Sequence, residues 1–409
     1  MVRLLCLSNG HGEDLNTGLI LDALQELAPD VEILAMPIAG AGTAYQARKI
    51  PIIGPTQTMP SGGIFYMNPL FFLRDIVSGL ILLTWRQLQA TLKAAPTCEL
   101  ILATGDIVVL GLAWLTGRPF CGFIVSTSSY YEGHLKIPVL AWACLRSQRC
   151  QAIYTRDAFT AKELQSKGIT KAKFLGYPIM DAIQPQSLVV TREDHASNQP
   201  LIALFPGSRV PEAAHNLKQL LSLCFGVGSI TPAQFLVALV AVLTPKMLEE
   251  ISQLEGWHLQ FDLKNLHHLT LSKSNVTVHC YYQAFADILQ SCDLIWGMAG
   301  TAVEQAVGLG KPVLQIPGPG PQFTYRFAEA QNRLLGFSVQ TLAPNLDRDE
   351  QIKQVGAWVK ATWNNPTYLQ ACQVNGRERV GHSGGSQAIA RDLLQQLRKL
   401  ERSRPFQQG

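Results

Sequence analysis

A chain of 409 residues exceeds what one ordinary hydrophobic core spans, so two domains are expected. Apolar residues make up 47% and charged residues 16%, which excludes a disordered or fibrous chain and suits a well-buried α/β enzyme. A net charge of +4 gives no argument for nucleic acid, and the nine scattered cysteines, with no C-x-x-C pair, read as reduced thiols of a cytosolic protein.

Residues 2–7 read as a buried parallel strand, too short for a signal peptide, followed by the polar turn 8–14. A helix over 15–27 and a strand over 29–36 come next, then Gly/Pro-rich loops to residue 63. Residues 64–92 carry Phe65, Tyr66, Phe71, Phe72 and Trp85 beside Arg74, Arg86 and Lys93. That mixture fits two structures: a helix lying in a bilayer interface, or a domain helix buried on both sides. No stretch has the ~20 clean apolar residues of a spanning helix.

Strands at 100–103, 120–126, 152–155 and 173–175 alternate with helices, including an apolar one over 107–115. The alternation marks a doubly wound domain over residues 1–183. Residues 184–199 read as a linker. A second series covers 200–375, with strands at 201–205, 235–242, 276–278, 293–296 and 312–316. Residues 376–409 read as a helical segment, with Ser386 as the cap of a helix over 387–400. The fold class is α/β, with two doubly wound Rossmann-like domains and a cleft between them at the C-terminal strand ends.

Two strand-turn-helix elements in the second domain suit a diphosphate. In Pro206-Gly207-Ser208-Arg209, glycine admits a ligand close to the backbone, serine offers a hydroxyl and arginine a planar cation. In Gly297-Met298-Ala299-Gly300-Thr301, a glycine-rich turn opens a helix whose first N–H groups lack partners. Glu304 follows within the first turn of that helix. It fits either a capping box with Thr301 or a carboxylate on ribose hydroxyls. A base pocket is expected near Tyr282. No D-x-D motif stands in a suitable loop, so no metal and no cofactor are expected.

The elements Gly176-Tyr-Pro-x-x-Asp181, Pro206-Gly-Ser-Arg-x-x-Glu212 and Gly300-Thr-Ala-x-Glu304 resemble, in the same order, GHP-x-x-D, PGSR-x-x-E and SGTAT-x-E of lipid-A-disaccharide synthase. The similarity is nearest to the related proteins of cyanobacterial type and extends distantly to the peptidoglycan N-acetylglucosamine transferase. It implies a GT-B fold, with a C-terminal helix able to cross back to the first domain. It also implies a metal-independent, inverting glycosyl transfer from a UDP-sugar, such as an N-acetylglucosamine type, to a lipid or lipid-linked acceptor. Ser208 and Arg209 would then hold the diphosphate, Glu304 the ribose and Gln322 the donor sugar. The resemblance further implies a protein at the cytoplasmic face of a membrane, reached through residues 64–92.

An inverting transfer needs a base for the acceptor hydroxyl. Asp106 sits where the family's I-D-x-P-D-F segment has an aspartate, though it equally suits an N-cap of the 107–115 helix. The family's first turn, G-E-x-S-G-D, becomes Gly10-His-Gly-Glu-Asp14 in this chain. Asp14 aligns best, and His11 has no counterpart. Asp106, Asp14 and His11 are therefore the catalytic candidates. A UDP-sugar 2-epimerase and a non-catalytic nucleotide-sugar-binding protein are the alternatives, and the sequence leaves the oligomeric state open.

Overall fold

The computed structural model describes residues 2–57, 79–185, 198–262, 265, 267–318, 320 and 323–402. Most of the 64–92 region, the linker residues 186–197 and Gln322 lie outside them. The chain divides into two compact units, Met1–Asp181 with His382–Gly409, and Ala182–Gly381.

In the first unit the strands are β1 (Arg3–Ser8), β2 (Glu32–Pro37), β3 (Leu100–Gly105), β4 (Phe120–Ile124), β5 (Cys150–Thr155) and β6 (Ala172–Lys173). They lie in the order β2-β1-β3-β4-β5-β6, every pair parallel. Every residue of β3 and β4 is buried, which is why these strands read as unbroken apolar runs. From β1 the chain turns to β2 on one side, and β3 lies on the other. The loops after β1 and β3 therefore stand together at the reversal of strand order, where open α/β sheets bind ligands. The helix Val139–Arg146 between β4 and β5 is an addition to the expected elements.

The helix Gly385–Arg402 returns to pack on the helix His11–Leu27 of this unit. Ser386 does not cap it, because it already lies inside the first turn. Asp181 takes that role from a distance, accepting the N–H of Gly384 and, at 2.7 Å, that of Ser386. A Cβ at Gly176 would meet Gly385 Cα at 2.7 Å, so the chain passes here only as glycine. Further along, Asp392 accepts from the Tyr154 hydroxyl at 2.6 Å and from Lys173 Nζ at 2.5 Å. The Gly176-Tyr-Pro-x-x-Asp181 motif is thus a latch for the returning helix.

In the second unit the strands are β7 (Leu201–Phe205), β8 (Gln234–Leu239), β9 (His258–Phe261), β10 (His268–Lys273), β11 (Val276–Tyr282), β12 (Leu294–Gly297), β13 (Val313–Gln315) and β14 (Val339–Thr341). Their order is β14-β13-β12-β7-β8-β11-β10-β9. All pairs are parallel except those of β10, which is antiparallel to both β11 and β9. The β9 and β10 strands are an unanticipated extension of the sheet edge. The reversal of strand order falls between β7 and β12.

All nine cysteines are free and buried. The helix Leu80–Ala94 is not buried on both sides: Ile81 is 68% and Trp85 56% exposed, while Leu83, Gln87 and Thr91 face inward. No described helix is long and apolar enough to cross a membrane.

Asp181→Ala should lower stability by about 1–2 kcal/mol, the usual cost of losing a helix cap. An unchanged thermal unfolding midpoint would show that the returning helix is held without it.

Candidate functional site

The second unit brings its two turns together. β7 and β12 are neighbours in register, with Gly297 opposite Phe205. The ladder continues one step past the strand, where Met298 N–H donates to Phe205 O at 2.9 Å. Gly207 has a φ of +94°, and a Cβ there would lie 3.2 Å from Met298 O. The positive φ favours glycine, and the second turn leaves a side chain little room beside Met298 O. Met298 is buried, Ser208 is exposed, and Ala299, Gly300, Thr301, Glu304 and Arg209 are half-buried. Arg209 and Glu304 therefore flank the same pair of turns.

A third loop, after β13, closes on them. Asn216, 5% exposed on the helix Glu212–Gly228, donates from Nδ2 to Pro206 O at 2.9 Å. A Cβ at Gly318 would lie 2.8 Å from the Asn216 Oδ1. One at Gly320 would sit 2.0 Å from Glu212 Oε1. The loop after β13 thus lies against Asn216 and Glu212, with glycine where it comes closest, and the sequence offered no sign of it for Asn216.

The helix after β12 spans Thr301–Gly308, with Gly300 as its N-cap and no side-chain cap. The Thr301–Glu304 spacing therefore does not make a capping box, because Thr301 is already helical. Tyr282 stands two strands away from β7, at the end of β11. Its hydroxyl donates to Leu243 O, and burial pushes its pKa up to about 12.

In the first unit, Asp106 caps the helix Ile107–Leu115, accepting from Val108 N–H at 2.8 Å. His11 is the exposed first residue of its helix. Glu13 accepts from Ser126 Oγ at 2.7 Å, which joins the loop after β4 to the first turn of the helix His11–Leu27. The Asn9 side chain lies over Gly105, where a Cβ would come within 1.8 Å of Asn9 Oδ1. Asn9 Oδ1 and Thr104 Oγ1 are buried with no hydrogen-bond partner among the described residues. The sequence marked Asn9 only as part of a turn.

Asp14 is 2% exposed and inward-facing. Ser8 Oγ donates to Asp14 Oδ1 at 2.6 Å, and Ser8 Oγ and Tyr45 OH are 2.6 Å apart. With the Ser8 proton given to Asp14, Tyr45 is the donor to Ser8. Burial raises the Asp14 pKa to about 7; the Ser8 bond opposes this and the Glu13 charge adds to it. A carboxyl tuned to neutrality suits acid–base work. Its burial also makes it a structural polar group at the end of β1.

The fold is GT-B: a glycotransferase of kitacinnamycin superposes with a TM-score of 0.59 at 14% identity, over 97% of this chain and 99% of that one. The UDP-GlcNAc 2-epimerase of Neisseria meningitidis, bound to UDP-GlcNAc, gives 0.55 at 14%, covering 96% and 100%. MurG of Acinetobacter baumannii gives 0.56 at 13%, covering 97% and 99%. Within that class, residues 159–303 match the family model of lipid-A-disaccharide synthetase. The match takes in the Asp181 latch and both turns, and stops just before Glu304. No curated protein matches the chain by sequence.

Asp14 sets a pH dependence. An unfolded aspartate titrates near ~3.9. Between about pH 4 and pH 7 the unfolded chain releases a proton that folded Asp14 keeps, so its contribution is full below pH ~4, falls as pH rises, and levels above about 7. The fall is on the order of 4 kcal/mol. Asp14→Asn keeps an acceptor for Ser8 and should flatten this slope, leaving the variant more stable than the native chain at pH 8. Parallel stability–pH curves for the two proteins would refute the assignment.

Proposed function

We propose that the protein is an inverting, metal-independent glycosyltransferase that moves a sugar, such as an N-acetylglucosamine-type unit, from a UDP-sugar to a lipid or lipid-linked acceptor. The observation that carries this reading is the pairing of the Gly207 and Gly300 turns across β7 and β12. Two sets of main-chain N–H groups and the Arg209 guanidinium suit a diphosphate, and Glu304 suits the ribose. The family match over residues 159–303 supports the same reaction class. Asp106 is our choice for the base, since it is less buried than Asp14 and belongs to the loop after β3.

UDP-sugar 2-epimerisation is the second reading, favoured by the epimerase likeness in fold and by His11 in the first turn. It requires no acceptor, so isomerised UDP-sugar formed without lipid would select it.

Arg209→Ala should weaken UDP binding at least ~10-fold, about 1.4 kcal/mol. Asp106→Asn should keep UDP affinity and cut turnover at least ~10³-fold, about 4 kcal/mol of barrier. Calorimetry and a product assay on the two variants read both effects. Unchanged affinity in the first, or unchanged turnover in the second, removes that residue from the scheme.

The membrane side of the reading rests on the outer face of the helix Leu80–Ala94. Ile81, Leu82 and Trp85 are 68%, 54% and 56% exposed, with Arg86 and Lys93 exposed on the same helix. Apolar side chains flanked by cations suit an anionic bilayer surface. Trp85→Ser should reduce co-sedimentation with phosphatidylglycerol vesicles, and equal sedimentation of both proteins would sink this part.

A further inference from the structure

Behind the Gly300 turn runs a chain of buried amides. Thr341 Oγ1 donates to Gln315 Oε1 at 2.9 Å, Gln315 Nε2 to Gln331 Oε1 at 2.5 Å, and Gln331 Nε2 to Gly300 O at 2.8 Å. Gln315 and Gln331 are 0% and 3% exposed. Gln315 ends β13 opposite Thr341 of β14, and Gln331 lies in the helix Tyr325–Leu335. Each glutamine in this relay gives one hydrogen bond and takes one. Two amides this deeply buried are costly unless so paired, because an unmet donor or acceptor keeps its full desolvation penalty.

We infer that Gln331 is a positioning residue: it fixes the peptide plane between Gly300 and Thr301 so that the Thr301 N–H faces a bound diphosphate. In a trans peptide the C=O and N–H point in opposite directions. Gly300 O already accepts from Val303 N and Glu304 N, at 3.1 and 3.3 Å. These bonds run along the helix, and Gln331 adds a third from the side. With the carbonyl held inward by three donors, the N–H of Thr301 is turned outward at the helix start, where no intrahelical acceptor exists. The relay makes that orientation a property of the sheet edge, because its far end is anchored on β14. A preorganised donor pays no reorganisation when charge arrives. Gln331 touches no ligand in this account; it acts through the turn.

This inference rests on the donor reading above, and the test separates the two. Gln331→Met keeps the volume and loses both hydrogen bonds. Thr341→Val cuts only the outer link and guards against a variant that fails to fold. Binding of UDP and of uridine is measured by calorimetry for each. The relay predicts a loss of at least ~10-fold in UDP affinity for Gln331→Met and ~2–3-fold for Thr341→Val, with uridine affinity unchanged. A simple structural role would weaken UDP and uridine alike, and that outcome, or unchanged UDP affinity, overturns the inference. If the native protein binds neither compound, the donor reading falls. The relay is then judged by amide exchange without ligand, where Gln331→Met must accelerate exchange at Val303 and Glu304. Native exchange at both positions would overturn it independently.

Discussion

One main-chain hydrogen bond sets the geometry of the candidate site: Met298 N–H to Phe205 O, formed after β12 has ended. It carries the parallel pairing of β7 and β12 into the turns, so the chain leaving each strand is still beside its neighbour. Gly207 suits it, because its φ of +94° favours glycine and a side chain there would crowd Met298 O. The remaining contacts secure what that pairing creates. Asn216 ties the first turn to its helix, and the glutamine relay fixes the second from behind.

The two units use the same device at different polarity. In each, the strand order reverses beside the first strand, and the loops after the two central strands converge. In the second unit those loops present glycine backbone, a cation and a carboxylate. In the first they present Asp106, His11 and Asn9 at the edge, with Asp14 drawn inward onto Ser8 and Tyr45. Nucleotide grip and acid–base chemistry are thus carried by different halves of the chain in our proposal.

The placement of the second unit's two turns is legible because glycine is visible in sequence. The turns 206–209 and 297–301 follow apolar strands and open helices, and the structure puts them where that pattern implies. Parallel strands such as β3 and β4 were equally plain, as unbroken apolar runs. The β9–β10 extension was missed because its signal is alternation: β10 buries Leu269 and Leu271 between partly exposed neighbours, and short alternating runs are weak evidence. The relay was invisible for a different reason. Gln315 and Gln331 look like ordinary polar residues until the fold brings together positions 16 residues apart. Local rules make Ser386 a cap, whereas the true cap, Asp181, lies 205 residues away in sequence. Thr301 and Glu304 had the spacing of a capping box, but the helix begins one residue too early for it.

In the proposed function, one diphosphate is held by both turns at once. Titrating UDP into amide-labelled protein tests it directly. If both turns hold it, the Gly207, Ser208, Gly300 and Thr301 amide signals shift together along one binding curve with a single Kd. Shifts confined to one turn, or two curves with different midpoints, would contradict it.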